Sequence, residues 1–177
     1  MTTATATEIT TATLTGETTL TGIDHAEAGA MYPAWYGINF DKNHTVKEVA
    51  AIIRKTLRTF IKNGDLGPVT KVNVRVDGHN AIRTILTAPK VKVDADTPGA
   101  VEYPDRWNGT VWAVIDGNYA TPGAADQIEP AAREALNRVE RFIATFNYNG
   151  SNTQVDYFAV KFYTTTRLVK EGDPTWL

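Results

Sequence analysis

Apolar residues recur at intervals of three and four positions after Thr45, and this periodicity predicts an amphipathic α-helix. Thr45 and Glu48 form a capping box, in which the threonine hydroxyl accepts from a backbone amide and the glutamate side chain reaches back to the N-cap amide. The Asn-Gly pair at positions 63–64 supplies a left-handed stop. The predicted apolar face consists of Val49, Ile52, Ile53, Leu57 and Phe60.

A second helical periodicity predicts a helix that begins near Asp126 and ends near Asn147. Asp126 and Glu129 could form another capping box. Pro130 is tolerated in the first turn because amides there have no helical acceptor. The predicted apolar stripe consists of Ile128, Ala132, Leu136, Val139, Ile143 and Phe146.

Between the helices the apolar period changes to two, which predicts β-strands. The first strand carries valines at 72, 74 and 76, and the Asp-Gly turn at 77–78 leads to a returning strand over 82–93 that is broken at Pro89. Residues 94–109 are rich in Pro, Gly and Asp and predict a long loop before a short strand at 111–115. Alternation over 157–163 predicts the last strand.

These elements predict an α+β two-layer sandwich, with two helices packed on one face of a mainly antiparallel sheet of about four strands. Residues 23–177 are expected to form this single domain. Residues 1–22 are almost entirely Thr, Ala, Gly and Glu, and they predict a flexible arm, with an edge hairpin as the alternative.

The composition narrows the class of protein. A chain of 177 residues with 42% hydrophobic content can build a core, and the absence of Cys excludes disulfides, Cys-based zinc sites and thiol catalysis. The sequence has no secretory signal pattern and no apolar run of the roughly 20 residues that span a bilayer. We therefore expect a cytoplasmic protein with no membrane partner.

Positive charge is concentrated between Lys42 and Lys92, where eleven Lys or Arg stand against three acids, a local net charge of +8 in a chain of net charge −2. Such segregation attracts anionic partners, and nucleic acid is the commonest of them. The alternative is a solvated surface that keeps the protein soluble. The predicted phosphate-facing set on the first helix is Lys47, Arg54, Lys55, Arg58 and Lys62, and it continues through Lys71, Arg75, Arg83, Lys90 and Lys92.

The outer face of the predicted sheet is a second candidate surface. If the three valines of the first strand face the helices, then the polar residues between them face outward. Aromatic rings interleaved with cations suit single-stranded nucleic acid, since bases stack on rings while cations hold phosphates. Ordinary packing beneath the arm or the long loop is the alternative. The candidate residues are Lys71, Asn73, Arg75, Trp112, Tyr157, Lys161 and Tyr163.

No motif for catalysis or metal binding stands beside these surfaces. The His and carboxylate groupings lack the spacing of a metal-binding helix, and the chain has neither a Gly-rich phosphate loop nor a nucleophile elbow. We predict no enzymatic activity, no cofactor and no metal. Asp94, Asp96 and Asp105 crowd the long loop, which leaves an enzyme with an acidic site as the least favoured alternative.

Two stretches resemble a known family. Residues 49–57 (VAAIIRKTL) are similar to its opening helix, and residues 146–151 (FNYNGS), followed by DYF at 156–158 and FY at 162–163, are similar to the segment after its second helix. The family is the large polyvalent protein-associated domain of the twenty-ninth type, found in phages and conjugative elements. The resemblance covers about residues 45–166. It implies a phage or mobile genetic element setting and a small α+β fold, and it transfers no catalytic residue.

Our first hypothesis is therefore a non-catalytic phage or mobile-element protein that acts in the host cytoplasm. Its partner would be nucleic acid or a host protein with an anionic surface. We expect charge reversal at Arg54 and Arg58 to remove binding without lowering the melting temperature. The alternative is a protein-interaction module with an anti-defence role, which inhibits a host defence or nucleic-acid enzyme. It would use the charged face as a decoy, or an aromatic patch around Trp35, Tyr36 and Trp107.

Overall fold

The computed structural model describes residues 23–25, 35–107, 109–115, 122–150 and 160–173, and these form an α+β fold, as the sequence predicts. The predicted arm at 1–22 lies outside the described residues. In chain order the elements are β1 (Ile23–His25), β2 (Trp35–Gly37), α1 (Val46–Asn63), β3 (Lys71–Asp77), β4 (Ala81–Ala88), β5 (Val101–Asp105), β6 (Gly109–Ala113), α2 (Pro130–Ala144), β7 (Tyr148–Asn149) and β8 (Tyr163–Lys170).

Both ends of α1 are fixed by the groups that the sequence indicates. The Glu48 amide donates to Thr45 Oγ1 at 3.2 Å, and the Thr45 amide donates to Glu48 Oε2 at 2.7 Å. At the other end Gly64 has a φ of 82°, and its amide donates to the Ile61 carbonyl at 3.0 Å. Glycine suits this left-handed position because it has no Cβ to meet the backbone. The predicted capping box and stop are confirmed.

The second helix, α2, begins later than the sequence predicts. Glu129 is its N-cap, with a side chain that accepts from the Ala132 amide at 2.8 Å, and Pro130 is the first helical residue. Asp126 lies in the preceding turn, where its carboxylate accepts from the Gly123 amide at 2.8 Å. The predicted capping box between Asp126 and Glu129 is therefore wrong, because each carboxylate serves a different amide.

The strands are divided among two three-stranded sheets and one hairpin in the described residues, so the prediction of one sheet of about four strands is wrong. The sheet against the helices has the order β3-β4-β8, with β3 antiparallel and β8 parallel to β4. The other sheet has the order β1-β2-β7, and β5 pairs with β6. All pairings except β4 with β8 are antiparallel, which confirms the mainly antiparallel character.

Several strand positions differ from those predicted. The returning strand β4 stops at Ala88, directly before Pro89. The predicted loop at 94–109 contains β5, which tolerates Pro104 because a two-stranded hairpin leaves one edge of each strand unpaired. The partner strand β6 spans Gly109–Ala113 instead of 111–115. The last strand begins at Tyr163, where the sequence predicted it to end.

The core lies between the two helices and one face of the β3-β4-β8 sheet. An edge-to-face ring pair joins the helices, Phe60 of α1 with Phe142 of α2 at 5.6 Å between centroids, and Phe142 makes a second such pair with Phe146, just after α2, at 5.3 Å. Full burial of one such ring contributes about 1.5–3 kcal/mol. Buried contributors to this core from the sheet and the helices are Val74, Ile82, Leu86, Ile53, Leu57, Val139, Phe142 and Ile143. The opposite face of the sheet is thereby directed away from the helices.

The β1-β2-β7 sheet is held against the C-terminal end of α2 by a close approach of the two backbones. The Gly37 amide donates to the Asn147 carbonyl, and the Asn39 amide donates to the Thr145 carbonyl, both at 2.9 Å. A Cβ at position 37 would lie 2.1 Å from the Thr145 carbonyl oxygen. Only glycine therefore fits at this position without a backbone shift.

Candidate anion-binding surface

Four cations on α1 are turned away from the core. At about 100° per residue, they fall in an arc of about 80°, and Arg54 extends this arc to about 100° on the side nearer the buried face. None of the four has an ion pair with another residue in the described part of the chain. We call them the helix cations: Lys47, Lys55, Arg58 and Lys62, all exposed.

Arg54 belongs to the same arc but has a bonding role in the fold. Its Nε donates to the Val74 carbonyl at 2.9 Å, and its Nη2 donates to the same oxygen. The residue is half-buried between α1 and the edge of β3. The sequence predicted that this guanidinium faces a ligand in solvent. The structure shows instead that it binds the backbone of β3. Reversal of its charge should lower the melting temperature, contrary to the sequence-based expectation.

The Val74 carbonyl is available to Arg54 because β3 has a strand neighbour on one side only among the described residues. The Tyr163 amide donates to the Asn80 carbonyl at 2.8 Å, and the Glu171 amide donates to the Ala88 carbonyl at 2.9 Å. These bonds show that even-numbered positions of β4 direct their backbone groups to β8. The β3 residues opposite them, including Val74, then direct their amide and carbonyl groups away from β4.

A second group of cations lies on the sheet face opposite the core. The predicted outward direction of Lys71, Asn73 and Arg75 is confirmed, because all three are exposed while Val74 between them is buried. The registers of β4 and β8 add further residues to the same side. We call the polar and aromatic members of this side the outer sheet face: Lys71, Asn73, Arg75, Arg83, Tyr163, Thr165 and Arg167. The buried Ile85 and Val169 share the side, so part of it is covered.

Two carboxylates partly neutralise the outer sheet face. Lys71 Nζ lies 3.6 Å from a carboxylate oxygen of Glu171, and Arg83 pairs with Asp77. Arg75 has no ion pair with any residue in the described ranges. Exposed pairs of this kind are worth about 0–1 kcal/mol and are screened by salt. A multivalent anion would therefore displace the two carboxylates from these cations.

Two residues predicted for the outer sheet face, Trp112 and Lys161, are not found there. Trp112 is half-buried on β6, in the separate β5-β6 hairpin. Lys161 precedes β8, and its ammonium donates to the carbonyls of Asp41 and Lys42 at 3.2 and 3.1 Å. Both placements are therefore wrong: Trp112 pairs within its own hairpin, and Lys161 fastens the loop before α1. Tyr157 lies outside the described residues.

The remaining predicted cations occupy separate environments. Lys90 pairs with Asp94 at 2.7 Å, and Lys92 is exposed at a bridge to Ile128. Both follow β4 rather than belonging to it, because that strand ends at Ala88. They extend the positive segment toward the start of α2 and not across the outer sheet face.

Arg167 was missed by sequence reasoning, although the structure puts it on the outer sheet face opposite Ile85. It lies beyond the cationic segment at 42–92 and beyond the predicted last strand. The run of threonines at 164–166, followed by Val169, favours a strand and was the available signal. A strand assigned to 163–170 would have directed Arg167 and Tyr163 to one face.

Three carboxylates near the cations have lowered pKa values. The backbone amide two residues after Asp41 donates to its carboxylate and lowers its pKa. The Thr45 amide has the same effect on the pKa of Glu48, and the Lys90 ammonium lowers the pKa of Asp94. Bonding to the charged form favours ionisation. These groups therefore stay negative at neutral pH and reduce the positive potential at the start of α1 and after β4.

The part of the chain that the structure describes contains no group of three His, Cys, Asp or Glu side chains placed to hold a metal ion. His44 Nδ1 lies 4.0 Å from Asp41 Oδ2, without a third such neighbour. Neither described helix has the length and apolar character needed to cross a bilayer.

Comparisons of the chain with protein-family models, with curated proteins and with solved structures found no match. The resemblance to the large polyvalent protein-associated domain family therefore stays a prediction from the two sequence stretches.

Proposed function

We propose that this chain is a non-catalytic phage or mobile-element protein that binds an anionic partner, with nucleic acid as the favoured one, in the host cytoplasm. One observation carries the proposal. The helix cations and the outer sheet face are directed to opposite sides of the sheet, and Arg54 joins α1 to the β3 edge between them through Val74. A partner that wraps around this edge would contact both groups of cations as one bent surface.

Phosphate is the anion that suits this surface. Lys and Arg side chains that neutralise phosphates release condensed counterions, so affinity falls steeply with salt. Four phosphates neutralised by the helix cations would give a slope of log K against log salt of about −3 to −4. If the cations only kept the protein soluble, it would show no such salt-dependent affinity for a phosphate polymer.

The direct test is fluorescence anisotropy with labelled single- and double-stranded DNA and RNA of one length, titrated between about 50 and 200 mM salt. Arg58→Gln should weaken binding and make the salt slope shallower. The matched control is Arg141→Gln, since Arg141 is an exposed helical arginine on α2 and only weakly paired with Glu134, at 3.5 Å. Absence of binding to all four ligands at low salt would refute the proposal. So would equal losses in the two variants.

One observation favours a second candidate, a protein-interaction module that inhibits a host enzyme. Trp107, in the turn of the β5-β6 hairpin, is 83% exposed, and the Arg106 guanidinium lies 5.2 Å from its ring centroid. Exposed tryptophan and arginine are the residues that most often dominate protein interfaces. The side chains of Trp35 and Tyr36, the other members of the predicted patch, lie outside the described part of the structure.

The second candidate makes a different prediction. A host protein that co-purifies with the wild type should be lost from Trp107→Ala but retained by Arg58→Gln. The reverse pattern would indicate that the charged surface, and not the hairpin, holds the partner.

A further inference from the structure

The outer sheet face contains an opposed pair of arginines. Arg75 on β3 and Arg83 on β4 are direct partners in the antiparallel register. Like charges directly opposite each other are destabilising in a sheet. Asp77 pairs with Arg83, but no described residue forms an ion pair with Arg75. An anion bound between the two guanidiniums would remove this repulsion, and a phosphate can accept from both.

An exposed aromatic ring lies beside this pair. Tyr163 begins β8, is 50% exposed and lies opposite Ala81, whose small side chain does not cover the ring. Arg83 is two residues from Ala81 and therefore points to the same side of the sheet. The ring and Arg83 are thus diagonal neighbours, about 7–8 Å apart along such a face, and Arg75 lies one strand farther from the ring.

We infer that the outer sheet face binds single-stranded nucleic acid, with a base stacked on Tyr163 and phosphates held by Arg75, Arg83 and Arg167. The inference rests on the proposed function and specifies its ligand. Three strands at about 4.8 Å spacing make a narrow surface that matches one backbone rather than a duplex. The faces of paired bases are also closed to a tyrosine ring, whereas an unpaired base can stack on it.

The three arginines favour a polyanion by their charge, and the Tyr163 ring favours a polyanion that carries bases. An acidic protein segment would use the same arginines but gain nothing from Tyr163. Stacking contributes strongly enough to be measured one ring at a time. The tyrosine therefore separates the two classes of ligand.

The experiment measures affinity for four labelled ligands of matched charge: a single strand, an abasic single strand, a duplex and poly-glutamate. Tyr163→Ala should weaken binding to the intact single strand about tenfold. The same variant should leave the other three affinities within about twofold. Tyr163→Phe keeps the ring and should retain the wild-type affinity, which makes it the matched control. Thermal unfolding of both variants checks that they fold.

Arg75→Gln should weaken binding to the single strand and to the abasic strand by the same factor, because it removes a phosphate contact only. If single strands bind but Tyr163→Ala binds them as well as the wild type does, the inference is overturned while the proposed function stands. Equal affinity of the wild type for poly-glutamate and for the intact strand would also overturn it. If no nucleic acid binds the wild type, the proposed function itself fails.

Discussion

Arg54 and Arg58 stand one helical turn apart on α1, yet the structure gives them different roles, and replacing each by glutamine should separate stability from binding. Arg54 donates two hydrogen bonds to the Val74 carbonyl from a half-buried position. Arg58 is exposed and has no ion pair with a described residue. The two substitutions are chemically identical, so differences between them report on position.

The expected cost at Arg54 follows from the bond it makes. Hydrogen bonds that involve a charged group are worth about 1.5–3 kcal/mol. Water can reach the edge of β3 and replace part of this bond, so we expect Arg54→Gln to destabilise the fold by about 1–2 kcal/mol. For a chain of this size that loss lowers the melting temperature by about 3–6 °C. Arg58→Gln should change it by less than about 1 °C, as exposed substitutions usually do.

Urea and thermal unfolding followed by circular dichroism measure the stability, and anisotropy at low salt, well below both melting temperatures, measures the binding. Arg58→Gln should lower the affinity without lowering the stability, because it removes a charge and leaves the fold unchanged. Equal melting temperatures for the two variants would show that the bond to Val74 contributes nothing. Our account of how α1 is fastened to β3 would then be wrong.

Three further substitutions test other parts of the structure. Thr84→Val should raise the stability by about 1 kcal/mol, because the fully buried Thr84 hydroxyl has no hydrogen-bond partner among the described residues, and urea unfolding measures this change. Gly37→Ala should cost about 1–3 kcal/mol in the same assay, since its Cβ would overlap the Thr145 carbonyl. Glu48→Gln tests pH dependence. The folded-state pKa of Glu48 is lowered by Thr45, so its stabilising effect is present above the ordinary value of 4.5 and is lost as the pH falls below it. The stability difference between wild type and variant should therefore shrink in acid, and a constant difference would contradict the assignment.

The features that the sequence predicted correctly are those fixed by neighbours along the chain. Thr45, Glu48 and Gly64 satisfy amides and carbonyls within four residues of themselves, so the spacing of residue types is sufficient to locate both ends of α1. The outward direction of Arg75 follows from the period of two, which needs no knowledge of the partner strand.

The features that could not be predicted depend on pairing between distant segments. β8 lies parallel to β4 although about eighty residues separate Ala81 from Tyr163, and no local pattern specifies that register. Arg167 joins the candidate site only through this pairing. The sequence does not distinguish Arg54 from the other cations of α1. Its acceptor is a backbone carbonyl on another element, and backbone groups carry no sequence signal.

Edge protection is the strongest competing explanation for the charge near β3, and it accounts for only part of the pattern. Charged side chains on an edge strand deter pairing with another chain, which would explain Lys71 and Arg75 without any ligand. It does not explain Arg83 on the central strand, directly opposite Arg75, nor Arg58 on the exposed side of α1. Solubility does not require them to flank the same strand edge either, since a chain of net charge −2 would be solubilised as well by dispersed cations. An anionic partner that contacts both faces of the β3 edge accounts for the edge cations and for the others together.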